Sequence, residues 1–529
     1  MPGLRALSSI LLPLLAAFGR AQDAPRHVLF TWQGDTGTTL TVHFQNFAQQ
    51  PLTPRVYWDT EPRGGLVAEY RRRTDGTSHR IPGLNDRWVH RVQLEGLEPG
   101  ATIHLVAGNP VTGLSREYKV RTIPHDDRPL RFVTGGDMGP WAETRVLLRH
   151  AARTKPDFAL IGGDIAYANG RLEDVDNWDS WLTYWTEEMV TPDGFAVPVV
   201  LGIGNHEVDG GFGQKPEKAP FYFGFFAQDP RSYFTRRFGA NLVCFILDSG
   251  HVAEHGGAQA LWLDQALQAH REVPFKAALY HVPLYPSHRD FEGEGSKAGR
   301  AHWAPLFDRH GLTVAFENHD HTWKRTAPLR ANRVVRDGVL YLGDGCFGVA
   351  PRTVAQGGRW YLRRQATLHH FWQVEVSRAG MVYRAVDLQG RVFDVYPEDA
   401  PGAAEAAAVL AAHGTRFAMP QEAVTVTPLA AGAATWSAGT TRVSVHNRFA
   451  APILANVSVI RAPAGARAVE GEAVRIAPGA SAQIEVRLRV ATPIPAKEAI
   501  FTLRVHADVL AEGRPRDAFV GDFAVPLAR

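Results

Sequence analysis

Residues 157–167 read DFALIGGDIAY. An apolar run of strand length ends in two glycines, and Asp164 and Tyr167, both able to hold a metal, follow at once. The same texture recurs four times. LRFVTGGDMG (130–139) delivers Asp137, and VPVVLGIGNHE (197–207) delivers Asn205, His206 and Glu207. FKAALYHVPLY (275–285) delivers His281, and LTVAFENHDH (312–321) delivers His319 and His321. Between these runs lie amphipathic helical stretches such as WAETRVLLRHAAR (141–153) and AQALWLDQALQAHR (258–271). Strand and helix in alternation predict an α/β domain. Ligands in such sheets collect where strands end at their carboxyl side, so five strand ends are expected around one site. Singly, each residue has an ordinary reading as a turn aspartate or a satisfied core histidine. The recurrence carries the prediction.

The candidate ligands mix carboxylate, phenolate, amide oxygen and imidazole, with no thiolate. That set suits iron, manganese or zinc and not copper(I) or an iron–sulfur cluster. Asp137, Asp164, Tyr167, Asn205, His281, His319 and His321 together exceed the needs of one tetrahedral ion. They suit two adjacent ions sharing a bridging carboxylate. Such pairs, about 3.5–4 Å apart, are the standard arrangement for hydrolysing phosphate esters.

The ordered set GDMG, GDIAY, GNHE, a strand ending in His281, and NHDH resembles the purple acid phosphatases of the metallophosphoesterase superfamily. Tyr167, three residues after Asp164, is the most discriminating feature, because most metallophosphoesterases lack a tyrosine there. The resemblance implies a central α/β metallophosphoesterase β-sandwich flanked by helices. It implies a ferric ion on Asp137, Tyr167 and His321, and a divalent ion (iron, zinc or manganese) on Asn205, His281 and His319. Asp164 would bridge the two. The implied activity is acid hydrolysis of phosphate monoesters by attack of a metal-bound hydroxide. His206 and His288 would stabilise the transition state and protonate the leaving group, with Glu207 behind the ligands orienting a neighbouring imidazole. HVPLYPSHRDFEGEGS (281–296), which carries His288, resembles the family's substrate-side loop. One departure is Asn318, where the family's last motif begins with glycine. Asparagine tolerates left-handed backbone, so the loop is expected to keep its shape.

Two other functions compete. A phosphodiesterase or nucleotide pyrophosphatase would use the same metal core. A non-catalytic surface protein with a degenerate domain would lack ligands, whereas every ligand type is present. No HExxH helix of a metalloprotease occurs.

Outside the α/β region (127–399) the texture is β-rich. Residues 22–126 hold short strand-like runs, and LEGLEPG (94–100) before TIHLV resembles the turn of a fibronectin type III domain. Residues 400–419 are rich in alanine and proline and read as a linker, in which AAEAAAVLAAHG is either one short helix or flexible chain. From 420 to 529 period-two alternation predicts a second β-sandwich, for which no partner is legible.

The chain has 529 residues, 45% of them hydrophobic and 21% charged, enough for a core of ordinary size. Its 57 basic and 54 acidic residues give a net charge of +3 and no basic stripe. A nucleic-acid partner is therefore not expected, and the partner that the resemblance implies is a small phosphate ester. Residues 1–21 read as a signal peptide, with Arg5 in the n-region, an apolar ALSSILLPLLAAFG and small residues at Gly19 and Ala21. Pro13 argues against a buried helix there, so a secreted or periplasmic protein is expected. No segment reaches the ~18 apolar residues of a membrane span. The two cysteines, Cys244 and Cys346, exclude a cysteine-ligated zinc site and leave both free thiols and one bridge open.

Overall fold

The computed structural model describes residues 24–528 except 49, 51–52, 227, 355–358, 431–433 and 512–513. The signal segment expected at 1–21 lies outside the described residues. The chain forms two compact units, one holding nearly all residues up to 407 and the other built mainly from 408–529.

The first unit begins with two antiparallel sheets. One orders Arg26–Thr31, Leu40–Asn46, Trp88–Leu94 and Thr77–His79, and the other centres on Arg55–Asp59 and Thr102–Asn109. Alternation buries His90, Val92 and Leu94 on one strand, with Arg91 and Gln93 between them less buried, as a half-buried sheet requires. These strands are tied to the α/β part by polar contacts. Arg236 donates from Nε (3.1 Å) and Nη2 (2.8 Å) to the Trp32 carbonyl, and Arg87 pairs with Asp179.

The α/β part is two sheets packed face to face. The first orders Val199–Leu201, Phe158–Ile161, Leu130–Gly135, His370–Ser377, Gly380–Asp387 and Val392–Tyr396. The second runs Phe234–Phe238, Leu242–Ile246, Phe275–Leu279, Val314–Phe316, Leu340–Gly343 and Trp323–Thr326. Their inner faces meet through aromatic rings. Phe158 stacks on Phe238 at 3.7 Å, and Phe132 meets Phe316 edge-on at 5.8 Å. On the opposite face of the first sheet, Val133, Ala159 and Ile161 pack with Leu147 and Trp181 of the helices Ala142–Arg153 and Val175–Glu188. The helices Gly257–Ala269 and Ala304–His310 cover the second sheet through Leu263, Leu267 and Phe307. This is the helix-flanked sandwich anticipated from the motifs.

Register makes the site. Leu130–Gly135, Phe158–Ile161 and Val199–Leu201 are parallel, with Gly135 opposite Ile161 and Ile161 opposite Leu201. In the second sheet Leu279 faces Phe316 and Phe316 faces Leu342, also in parallel. All five motif strands therefore stop at one rim.

Cys244 and Cys346 are buried thiols that no disulfide joins. Within 400–419, Ala403–Ala412 is an α-helix, as its alanine content favours, and Arg416–Ala418 is a strand pairing in parallel with Ala518–Val520. The segment thus contributes ordered elements where a linker was expected. Beyond that helix the second unit is dominated by β-strands. Its sheets pack Trp436, Val443 and Val445 against Leu503, Val505 and Phe519. Among the described residues no helix is long and apolar enough to cross a membrane.

Phe158→Ala, which empties the seam between the sheets, is expected to cost about 3–5 kcal/mol of first-unit stability. Exposed Val111→Ala should stay within about 0.5 kcal/mol. Urea unfolding followed by tryptophan fluorescence measures both.

Candidate metal centre

Each motif strand ends in a tight turn that lifts one polar side chain over the rim. Asp137, Asp164, Tyr167, His319 and His321 all sit at positive φ (56°, 51°, 58°, 75° and 56°). Non-glycine residues rarely adopt this conformation, and they do so where the surroundings over-determine it. Asn318, expected to take the left-handed position, does not have positive φ; the strain falls on the histidines beside it. Its side chain instead donates to the Tyr280 carbonyl at 2.9 Å and lies against Gly162, where a Cβ would come within 1.9 Å of its Nδ2.

The side chains converge on one buried cluster. His281 Nδ1 donates to the Gly162 carbonyl at 3.0 Å, which turns Nε2 inward. That Nε2 is 3.1 Å from Asp164 Oδ2, 3.1 Å from Asn205 Oδ1 and 3.0 Å from His319 Nδ1. On the other side, His321 Nε2 is 2.9 Å from Asp137 Oδ1 and 3.3 Å from the Tyr167 hydroxyl. Two groups able to hold an ion result, Asp164 with His281 and His319, and Asp137 with Asp164 and His321. Asp164 belongs to both.

These atoms fit cations. They are nearly all lone-pair donors facing one another. Asp164 Oδ2 is buried without a hydrogen bond of proper geometry, although His281 Nε2 lies close. Burial works to raise the Asp164 carboxyl, but His281, His206 and His319 hold it far below the usual range. Burial works to lower the His281 imidazole, and the charges of Asp164 and Asp137 raise it to about 9. A pocket this hungry for positive charge is what a metal pair requires.

The profile of the calcineurin-like phosphoesterases matches residues 88–323, and that of the purple acid phosphatase N-terminal domain matches 25–122. The chain belongs to the purple acid phosphatase type of metallophosphoesterase. Purple acid phosphatase 13 of Arabidopsis thaliana is 24% identical over 49% of this chain and 54% of its own length. The phosphoenolpyruvate phosphatase of Allium cepa is 25% identical over 59% of this chain and 64% of its own. The chain spans about half the length of the first curated relatives it matches. The structure of a purple acid phosphatase from yellow lupin (Lupinus luteus) seeds superposes with a TM-score of 0.59, at 18% identity, over 71% of this chain and 74% of that one. Membership of this family implies a binuclear metal centre, and the buried Asp and His groups here are able to hold one.

Around the cluster the family framework carries further parts. His206 is about one-third exposed, with Nε2 3.8 Å from Asp164 Oδ2 and Nδ1 2.5 Å from Asn169 Oδ1. Burial lowers its imidazole below the ordinary value. Glu207 does not orient an imidazole. Its buried carboxylate accepts backbone N–H groups from Asp164 (2.7 Å), Ile165 (2.8 Å) and Gly204 (2.8 Å), binding two motif turns together. Burial, and then the charge of Asp164, pushes it up to about 7 while the amides pull the other way. His288 is exposed, its backbone N–H held 2.7 Å from the Asp320 carboxylate. The cavity beside His319 is walled by Arg289 instead.

Sequence reading missed several of these. Asn169, in YANG just after Tyr167, had proximity as its only signal. GDGCFG (343–348) was read only for its cysteine, yet Gly345 lies where a Cβ would come within 1.8 Å of Asp137 Oδ2. Trp141, 37% exposed, lies 4.8 Å from the Tyr167 ring, and Phe212, 45% exposed, 6.1 Å from that of His319.

Glu207→Gln would set an amide donor against backbone donors. The protein should remain folded by circular dichroism but release metal to a chelator with about 10–100-fold weaker affinity.

Proposed function

We propose that this protein is a binuclear metal-dependent acid phosphatase that cleaves phosphate monoesters outside the cytoplasm. The observation that carries the reading is Asp164, the one carboxylate common to two adjacent ligand groups. In this reading Asp137, Tyr167 and His321 hold a ferric ion, and Asn205, His281 and His319 hold a divalent iron, zinc or manganese. Two ions held there would acidify a water for attack on phosphorus and neutralise charge on the phosphoryl oxygens.

The chain's own groups do the rest. Tyr167 and His321 converge on Asp137, so a phenolate joins one anionic and one neutral donor where the higher charge is wanted. His206, with Nδ1 turned to Asn169 and Nε2 toward the cluster, gives its proton to the leaving oxygen. Because burial lowers its value, the protonated form belongs to acidic solution, which matches an acid optimum. The apolar segment at 1–21 supports export.

A diesterase would share this centre, and substrate choice separates the two. Purified protein should hydrolyse an aryl phosphate monoester faster than its diester, with the rate peaking in acid and falling toward neutral pH. Asp164→Ala, which removes the shared ligand, should lower kcat/KM by at least about 10³-fold, roughly 4 kcal/mol. A metal-replete protein inert toward both esters would refute the phosphatase reading, and a faster diester would refute the monoester preference.

A further inference from the structure

The loop 208–214, which follows Glu207, holds one large apolar side chain at the edge of the metal cluster. On either side of Phe212, Gly211 (φ 76°) and Gly213 (φ 65°) take left-handed backbone that glycine adopts at no steric cost. Four hydrogen bonds fix the turn. The Gly211 N–H donates to the Val208 carbonyl (3.0 Å), the Gly213 N–H to the Gly250 carbonyl (2.9 Å) and the Gln214 N–H to the His251 carbonyl (2.8 Å). The buried His251 returns a bond from Nδ1 to the Gly211 carbonyl at 3.0 Å. In spite of this restraint Phe212 is 45% exposed. Its ring lies 4.8 Å from that of His251, tilted by 32°, and 6.1 Å from that of His319, at 79°.

A lone exposed apolar side chain is ordinary on a protein surface, so exposure alone decides nothing. Placement does. The backbone is pinned, His251 backs the ring, and the ring lines a cavity of about 690 Å³ together with His319 and Val282. That volume falls within the roughly 300–1,000 Å³ of sites that enclose a small organic molecule, and it exceeds what a phosphoryl group alone needs. Arg289, which pairs with Asp320, lines the same cavity, as do the carboxylates of Asp290 and Glu294. Those two carboxylates disfavour a leaving group that carries further negative charge, whereas an uncharged flat ring suits the phenyl face. We infer that Phe212 is a specificity-determining residue, stacking on an uncharged aromatic group in the alcohol part of the substrate while the phosphoryl group sits beside His319. For the phosphoryl half this rests on the phosphoesterase reading. Aryl and arylalkyl monoesters are then preferred over short alkyl ones.

The test is binding of two non-hydrolysable analogues, benzylphosphonate and methylphosphonate, to the metal-loaded full chain by titration calorimetry, with metal content measured in parallel. Wild type should bind the benzyl compound about 10-fold more tightly than the methyl one. In Phe212→Ala that ratio should fall to within about twofold of equality. Phe212→Leu, the milder change, should lower it in the same direction, and Phe212→Tyr, which keeps the ring, should hold it. A ratio that stays at the wild-type value in Phe212→Ala and Phe212→Leu overturns the inference, even if both phosphonates bind more weakly, since the ring would then only brace the His319 loop. A wild-type ratio near one overturns it as well. A wild type that hydrolyses no ester yet shows the Phe212-dependent ratio sinks the proposed function and leaves this contact standing. Hydrolysis of monoesters by a wild type that binds the two phosphonates equally does the reverse.

Discussion

Everything in the first unit answers to one constraint: lone-pair donors with few protons among them must be held together in a dry pocket. His281 Nε2, His319 Nδ1, Asn205 Oδ1 and Asp164 Oδ2 lie about a hydrogen-bond length apart. Left to itself such a cluster would fly apart or draw protons, because uncompensated buried charge is costly. The fold holds the donors by backbone they cannot escape. Five strand ends stop at one rim because the sheets keep parallel register and the Phe132, Phe158, Phe238 and Phe316 rings lock the sheets together.

That restraint is expensive. Left-handed backbone costs roughly 1–2 kcal/mol per non-glycine residue, so five such residues hold on the order of 5–10 kcal/mol. This is comparable with the whole net stability of an ordinary domain, roughly 5–15 kcal/mol. The compensation is visible in buried hydrogen bonds. Glu207 takes three backbone N–H groups across two turns, Asp320 takes three from the loop 287–289, and Asn318 ties its turn to the His281 strand. None of these side chains points at substrate chemistry, yet each sets where a ligand stands.

The surroundings of the cluster differ between its two ends. At the Asp137 end, Tyr167 is sandwiched between Trp141 and His206. At the His319 end, a roomy cavity opens between Phe212 and Arg289. The ligand type follows from the protein's motifs, and the shape of the approach follows from the loops around them.

Much of the site was legible in the sequence for a local reason. A strand end, a turn and a ligand lie within about ten residues of chain, so apolar run, glycine and ligand type appear side by side, as at Asp164, Asn205 and His321. The all-β character of the flanking regions was legible in the same way, from period-two alternation. What the sequence could not decide was anything set by residues distant in the chain. Glu207 reads as a ligand's neighbour, but two of its three amide partners lie 42 and 43 positions away. Asn318 reads as a turn residue, but its side chain bonds the Tyr280 carbonyl. His288 and Arg289 are adjacent, and the backbone of both is held by the buried carboxylate of Asp320, reached across 31 to 33 residues. Ligand chemistry is a property of residue type and local spacing, which the sequence determines by itself. Orientation depends on hydrogen bonds made across the fold, which only the tertiary structure decides.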